Sequence, residues 1–140
     1  MVTVRADPAK GADTVGRIIV ADDDELVGKI VSNTLMSAGH AVGWLPDGAY
    51  ALSVIRNRPP DLVILDCNMP GMSGIHVLQQ LRKDEKLYEV PALMLTARTG
   101  RQDENIARFS GATDYLRKPF LPLDLLGRVN SLVAGNRWTL

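Results

Sequence analysis

The sequence has one cysteine and no long apolar run, and these shortages exclude several classes of protein. Cys67 cannot form an intramolecular disulfide, as is usual for proteins of the reducing cytoplasm. No apolar stretch approaches the roughly 20 residues of a membrane-spanning helix. Residues 1–16 carry charges where a signal peptide would be apolar. We therefore predict a cytoplasmic protein without a membrane segment.

The sequence also lacks an excess of either charge. Its 16 basic and 16 acidic side chains cancel, so no overall field attracts nucleic acid or an acidic membrane surface. A local basic patch is missing too, because Arg56 and Arg58 run into prolines, and Arg98 and Arg101 precede acidic residues. We predict that this domain itself binds neither nucleic acid nor a membrane.

Short apolar runs that alternate with helical patterns indicate an α/β fold. The length of 140 residues suits one domain. Strands are predicted at Ile18–Ala21, Ala41–Leu45, Leu62–Leu65, Val90–Leu95 and Thr113–Leu116. Because unbroken apolar strands need cover on both faces, we predict a three-layer, doubly wound parallel sheet of five strands. The flavodoxin-like strand order 2-1-3-4-5 is expected.

The pattern also predicts where the folded part begins and ends. Residues 1–16 form a flexible N-terminal lead-in, residues 17–134 the domain, and residues 135–140 a C-terminal tail. Residues 98–111 have few apolar anchors, so a short and weakly held helix is expected there. The last helix should begin near Pro122. Its expected core face consists of Leu123, Leu125, Leu126, Val129, Leu132 and Val133.

Acidic side chains directly follow two of the predicted strands. Asp22 and Asp23 come after the first strand, and Asp66 comes after the third. In the order 2-1-3-4-5 these strands are neighbours, so the carboxylates meet at the edge of the sheet where ligands bind. Three carboxylates repel one another unless a cation is near. Lys118, at the end of the fifth strand, and Mg²⁺, which prefers oxygen ligands, are the candidates.

This combination predicts phosphoryl transfer. Asp66 would be the nucleophile and would form an acyl phosphate, while Mg²⁺ and Lys118 neutralise the charge of the transferred group. Thr96, at the end of the fourth strand, could donate a hydrogen bond to a phosphoryl oxygen. Cys67 is expected to face away from Asp66 as an apolar core residue. His40 lacks partners at metal-ligand spacing and is expected on the surface or in a helix.

The same motifs resemble the receiver domain of two-component response regulators. The motifs are Asp22-Asp23 after Ile-Ile-Val-Ala, Asp66 in Leu-Asp-Cys-Asn-Met-Pro-Gly, Thr96-Ala97, Tyr115, and Lys118-Pro119-Phe120. The resemblance covers about Arg17 to Ala134 and implies that residues 17–134 are a receiver domain. It implies that Asp66 accepts phosphate from a histidine kinase or a histidine phosphotransfer protein. It also implies that the chain is no enzyme beyond its own phosphorylation and slow autodephosphorylation.

The resemblance further implies a ligand set for Mg²⁺. Asp23, Asp66 and the backbone carbonyl of Asn68 would bind the ion, and Asp22 would act through water. Lys118 would pair with the phosphoryl group or with the unphosphorylated Asp66.

A switch is implied as well. The Thr96 hydroxyl would move toward the phosphate and the Tyr115 ring would turn inward. This change would remodel the face made by the fourth helix, the fifth strand and the fifth helix, where a downstream protein or an output domain would bind. A homodimer is a further option, for which Asp114 and Arg128 offer charges, although a solvated pair is the simpler interpretation.

Three other functions compete with this interpretation. A magnesium-dependent aspartyl-phosphate phosphatase or phosphotransferase would resemble haloacid-dehalogenase-like proteins, but Asn68 stands where those carry a second aspartate. A flavin or nucleotide-binding module is not supported, because no glycine-rich phosphate-binding motif follows a strand. A degenerate receiver that only docks is disfavoured by the complete set of acids, Thr96 and Lys118.

Overall fold

The computed structural model describes residues 14–97 and 101–135, and of residues 101–104 it describes the backbone only. Nearly all of the predicted lead-in and tail lies outside these ranges, so both boundaries stay predictions. Within the ranges that are described, no helix is long and apolar enough to cross a membrane.

Within the described residues, five strands alternate with five helices. The strands are β1 (Arg17–Ala21), β2 (Ala41–Leu45), β3 (Leu62–Asp66), β4 (Ala92–Thr96) and β5 (Asp114–Arg117). The helices are α1 (Glu25–Ser37), α2 (Gly48–Asn57), α3 (Gly74–Lys83), α4 (Arg101–Phe109) and α5 (Pro122–Val133). The predicted start of the fourth strand at Val90 is wrong, because the Val90 amide donates to the carbonyl of Leu87 within a turn.

The strands form one parallel sheet in the order β2-β1-β3-β4-β5, which confirms the predicted flavodoxin-like topology. In the register of β1 and β3, Ala21 lies beside Leu65. The next residues, Asp22 directly after β1 and Asp66 at the end of β3, therefore lie at the same level.

Helices cover both faces of the sheet, which confirms the three layers. Successive residues of β1 point to opposite sides of the sheet. Ile18 and Val20 pack with side chains of α1 and α5, whereas Ile19 and Ala21 pack with side chains of α2, α3 and α4. In α4, Ala107 is the one buried residue among the side chains described, 105–109, in keeping with the weakly held helix that the sparse apolar anchors predict.

Side-chain caps fix the helix starts that face the carboxyl edge of the sheet. The Asp24 carboxylate accepts from the amides of Leu26 and Val27 and so begins α1. Asp47 and Ser73 cap α2 and α3 in the same way. These caps orient the loops that follow β1, β2 and β3.

Two further expectations are wrong. Leu123 is 80% exposed, because the core face of α5 follows Leu125, Val129 and Leu132, and a residue two positions before Leu125 lies on the opposite side of the helix. His40 is buried: its Nδ1 accepts from the Gly16 amide at 3.1 Å and its Nε2 lies 2.8 Å from the Asn130 side-chain oxygen. These partners are distant in sequence, so local spacing could not reveal them.

Candidate functional site

Three carboxylates meet at the carboxyl edge of the sheet, at the ends of β1 and β3. One oxygen from each of Asp22, Asp23 and Asp66 lies within 4.8 Å of the other two. Asp22 is fully buried and Asp66 is 8% exposed, whereas Asp23 faces solvent. The structure therefore brings together the acids that the strand order predicted to meet.

Backbone and side-chain contacts hold Asp22 from several directions. Its amide donates to the carbonyl of Leu45 at 3.1 Å, and its Oδ1 accepts from the amide of Asp24 at 2.9 Å. The indole Nε1 of Trp44 donates to the carbonyl oxygen of Asp22 at 2.8 Å. Sequence reasoning misses the contact with Trp44, because no local pattern connects a residue of β2 with the loop after β1.

Lys118 supplies the positive charge. Its Nζ lies 2.9 Å from Oδ2 of Asp22 and 3.5 Å from Oδ2 of Asp66. The Lys118 amide donates to the carbonyl of Thr96 at 2.8 Å, and the peptide bond between Lys118 and Pro119 is cis. The closer contact of the ammonium is thus with the buried Asp22.

Burial and charge shift the pKa values of two of these groups. Burial, and then the nearby charge of Asp22, raise the pKa of Asp66 from 3.8 to about 6, although Lys118 and the Asn68 amide oppose the shift. Burial alone would lower the pKa of Lys118. The hydrogen bond and charge of Asp22, followed by the charge of Asp66, outweigh that effect and raise the Lys118 pKa above its ordinary value.

The start of α3 packs tightly against the backbone of Asp66. A Cβ atom on Gly74 would lie 1.9 Å from the carbonyl oxygen of Asp66, so this position has room for hydrogen only. The amide of Asn68 lies 3.4 Å from Oδ1 of Asp66, and the Asn68 side chain is exposed. Gly74 follows the aspartate motif in sequence, but no local pattern predicts its tight approach.

Thr96 and Tyr115 lie on adjacent strands. Tyr115 of β5 pairs with Met94 of β4, and both side chains pack on the side of the sheet that α2, α3 and α4 cover. Thr96 lies two residues after Met94, so strand alternation directs its side chain to the same side. The Thr96 hydroxyl is fully buried and has no hydrogen-bond partner in the described part of the chain. Tyr115 is half-buried, and its hydroxyl accepts a hydrogen bond from the guanidinium of Arg108 in α4. The guanidinium carbon also lies over the Tyr115 ring, 4.9 Å from the ring centroid.

Other candidate residues lie as follows. Cys67 is 1% exposed and packs in the core on the α2, α3 and α4 side, as expected. Arg128 binds both carboxylate oxygens of Asp114, at 2.9 and 3.0 Å, within the chain. This pair connects α5 to β5.

The donor set fits a hard divalent cation. Carboxylate oxygens are the ligands that Mg²⁺ prefers, and one of the three acids is exposed, so the ion could keep several waters. A partly desolvated carboxylate beside an ammonium group is suited to accept and bind a charged group with several oxygens.

Sequence comparison identifies related proteins. The family model described as "Response regulator receiver domain" matches residues 18–130. The DNA-binding response regulator MtrA of Mycobacterium leprae is 41% identical over 120 residues, which cover 86% of this chain and 52% of that protein. The chain thus spans about half the length of such curated relatives.

Solved structures with the same fold are also similar in sequence. The chemotaxis response regulator CheY4 of Vibrio cholerae has a TM-score of 0.79 and 33% identity, and the match covers 85% of this chain and 99% of that one. The receiver domain of the Francisella response regulator 1452 has a TM-score of 0.79 and 30% identity, with coverage of 87% and 99%.

Proposed function

The chain belongs to the response regulator receiver family of two-component systems, and from that membership we propose that Asp66 is its phosphoacceptor. The phosphoryl group comes from the phosphohistidine of a histidine kinase or a histidine phosphotransfer protein. The domain then changes conformation and controls a partner or an output domain. The observation that carries this proposal is the pairing of Asp66 with Lys118 at 3.5 Å beside two further carboxylates.

The transfer is a substitution at phosphorus. An oxygen of the Asp66 carboxylate attacks the phosphorus atom, the phosphorus–nitrogen bond of the phosphohistidine breaks, and the imidazole leaves with the electron pair. The product is an acyl phosphate on Asp66. The ammonium of Lys118, held nearby by Asp22, can follow the new negative charge without a long movement.

We propose that Asp23, Asp66 and the Asn68 carbonyl bind Mg²⁺ and that Asp22 acts through water. The cluster of carboxylate oxygens within 4.8 Å supports this assignment. When bound, the ion supplies positive charge that offsets repulsion between the acids and the incoming phosphoryl group. The chain's own contribution is to hold these oxygens at the strand ends.

We propose that Thr96 and Tyr115 report the state of Asp66. The Thr96 hydroxyl, buried without a partner in the described residues, is free to bond a phosphoryl oxygen. Tyr115 contacts Arg108 of α4, a helix in which Ala107 is the one buried residue among the described side chains 105–109, so a change at β4 and β5 has a movable neighbour. The α4, β5 and α5 face would then meet the downstream partner, an output domain or a second copy of the chain.

That face carries apolar side chains in solvent. Phe109 is 94% exposed and Ile106 is 46% exposed. Direct contact with nucleic acid by this domain is not proposed, because its charges balance. MtrA of Mycobacterium leprae is a DNA-binding response regulator, and this chain covers 52% of it.

The test uses acetyl phosphate as a small phosphodonor. With Mg²⁺, intact-mass measurement should find one added phosphoryl group on the wild type and none on Asp66→Asn, and EDTA should prevent the addition. Equal labelling of both proteins would contradict the proposal. Repeated turnover of a small phosphate ester by the wild type would instead favour the phosphatase alternative.

A further inference from the structure

Trp44 connects the outer strand of the sheet to the acidic site. It lies in β2, beside Val20 of β1, and its half-buried indole reaches across to α1. A Cβ atom on Gly28 would lie 2.4 Å from the indole Nε1, so the ring fits against α1 only because Gly28 has no side chain. The indole therefore has a defined position between β2 and α1.

The indole hydrogen bond fixes one peptide group of the site. Nε1 donates to the carbonyl oxygen of Asp22 at 2.8 Å, and the amide of Asp22 donates to Leu45 at 3.1 Å. The Asp22 backbone is thus held to β2 at both its amide and its carbonyl. Because the carbonyl of Asp22 and the amide of Asp23 belong to one planar peptide, Trp44 sets the orientation of the residue that follows.

Asp23 depends on that orientation more than its neighbours do. The carboxylate of Asp22 is held by Lys118 and by the Asp24 amide, and that of Asp66 by Lys118. Across residues 14–97 and 101–135, the Asp23 carboxylate has no hydrogen bond or ion pair, and it is exposed. The direction of the Asp23 side chain therefore follows from the orientation of its own backbone.

We propose that Trp44 is a positioning residue for the acidic site: its hydrogen bond to the Asp22 carbonyl sets the direction of Asp23 and so strengthens Mg²⁺ binding. The inference rests on the proposed function, because it concerns the same metal site. Groups that orient metal ligands typically change metal affinity by about 10–100-fold when they are removed. Trp44 therefore acts on the metal through the peptide and not by contact.

The experiment measures Mg²⁺ affinity by titration calorimetry for the wild type and three variants. Trp44→Phe keeps an aromatic ring but removes the N–H donor. Gly28→Ala keeps the donor but introduces a Cβ where the indole lies. Trp138→Phe removes the other tryptophan of the sequence and serves as the control.

We expect Trp44→Phe and Gly28→Ala each to raise the Mg²⁺ dissociation constant about 10-fold, while both remain folded by circular dichroism and Trp138→Phe binds as the wild type does. Labelling of Trp44→Phe by acetyl phosphate should recover at saturating Mg²⁺. An unchanged dissociation constant in Trp44→Phe, or slow labelling that persists at saturating Mg²⁺, would overturn the inference. A wild type that binds no Mg²⁺ would instead overturn the proposed function.

Discussion

Lys118 is closer to Asp22 than to Asp66, with its Nζ 2.9 Å from the Oδ2 of Asp22 and 3.5 Å from that of Asp66. The Asp22 side chain is fully buried, whereas the Lys118 side chain is 23% exposed. The ammonium group therefore stabilises the Asp22 carboxylate, which has little access to water, and it also stays near Asp66.

The first prediction concerns removal of this cation. Lys118→Ala leaves Asp22 buried without its ion pair and should lower the free energy of unfolding by about 2 kcal/mol, less than for a completely buried pair because Lys118 is partly exposed. Added Mg²⁺ should restore more stability to the variant than it adds to the wild type, because it supplies the missing positive charge. Urea unfolding with EDTA and with Mg²⁺ measures both effects.

Lys29→Ala is the matched control. Lys29 forms an ion pair with Glu25 at 3.4 Å, but both side chains are more than two-thirds exposed, at 68% and 69%. Its removal should change the free energy of unfolding by no more than about 0.5 kcal/mol. Equal losses in the two variants would contradict the assigned role of the Lys118 ion pair.

The second prediction concerns pH. Asp66 has a pKa of about 6 in the folded protein against an ordinary value of 3.8, so between these values the folded state binds more protons than the unfolded state. Stability without Mg²⁺ should therefore fall as the pH rises from about 4 to about 6, by on the order of 2–3 kcal/mol from this group.

Urea unfolding in EDTA across this pH range measures the effect. Asp66→Asn cannot ionise, so it should lack this decrease and should be more stable than the wild type at pH 7. Mg²⁺ should bind the wild type more weakly as the pH falls below about 6, because protons and the ion compete for Asp66. Parallel pH profiles for the two proteins would be inconsistent with a raised pKa at Asp66.

The third prediction concerns Gly74. An alanine Cβ would lie 1.9 Å from the carbonyl oxygen of Asp66, so Gly74→Ala must displace α3 or the end of β3. We expect a loss of about 3 kcal/mol in the free energy of unfolding and slower labelling of Asp66 by acetyl phosphate.

Gly127→Ala is the comparison within a helix. Gly127 lies in α5, and a Cβ atom added there would have no neighbouring atom within 4 Å, so alanine should stabilise the protein by about 0.5–1 kcal/mol. Labelling of Asp66 should be unchanged. Similar stabilities for the two alanine variants would mean that Gly74 is not confined by the Asp66 carbonyl.

The parts of the site that could be predicted are those that depend on strand order. Asp22 and Asp66 each follow an apolar run, and a doubly wound sheet places those runs side by side. Trp44, His40 and Gly74 could not be assigned, because their roles depend on contacts with atoms far along the chain or on the distance between two backbones. Such contacts leave no local period in the sequence.

The same distinction applies to the helices. The predicted core stripe of α5 is too wide, because Leu123 is apolar but lies on the solvent side. The sparse apolar anchors predict a weakly held α4, and among the described side chains, 105–109, only Ala107 is buried, in keeping with that prediction.

The fourth prediction concerns Thr96, whose buried hydroxyl has no partner among the described residues. A buried hydroxyl without a hydrogen bond is unfavourable, so Thr96→Val, which keeps the shape, should stabilise the unphosphorylated protein by about 1 kcal/mol. Thr113→Val is the control, because the Thr113 hydroxyl accepts from the amide of Ala92 at 3.0 Å. That variant should lose about 1 kcal/mol.

Phosphorylation should reverse the order of stability, so that the wild type becomes more stable than Thr96→Val. If the hydroxyl gains a phosphoryl oxygen as partner, Thr96→Val still takes up phosphate at Asp66 but no longer transmits the change to β5 and α4. Changes in amide NMR shifts around Tyr115 and Ala107 on addition of acetyl phosphate and Mg²⁺ should then be small in Thr96→Val and large in Thr113→Val.

Equal destabilisation of the two unphosphorylated variants would mean that the Thr96 hydroxyl already has a hydrogen-bond partner in the unphosphorylated protein. A full NMR response in Thr96→Val would mean that Thr96 has no part in the switch. A hydroxyl that is unfavourable in one state and bonded in the other biases the equilibrium between them, which is what a switch residue must do.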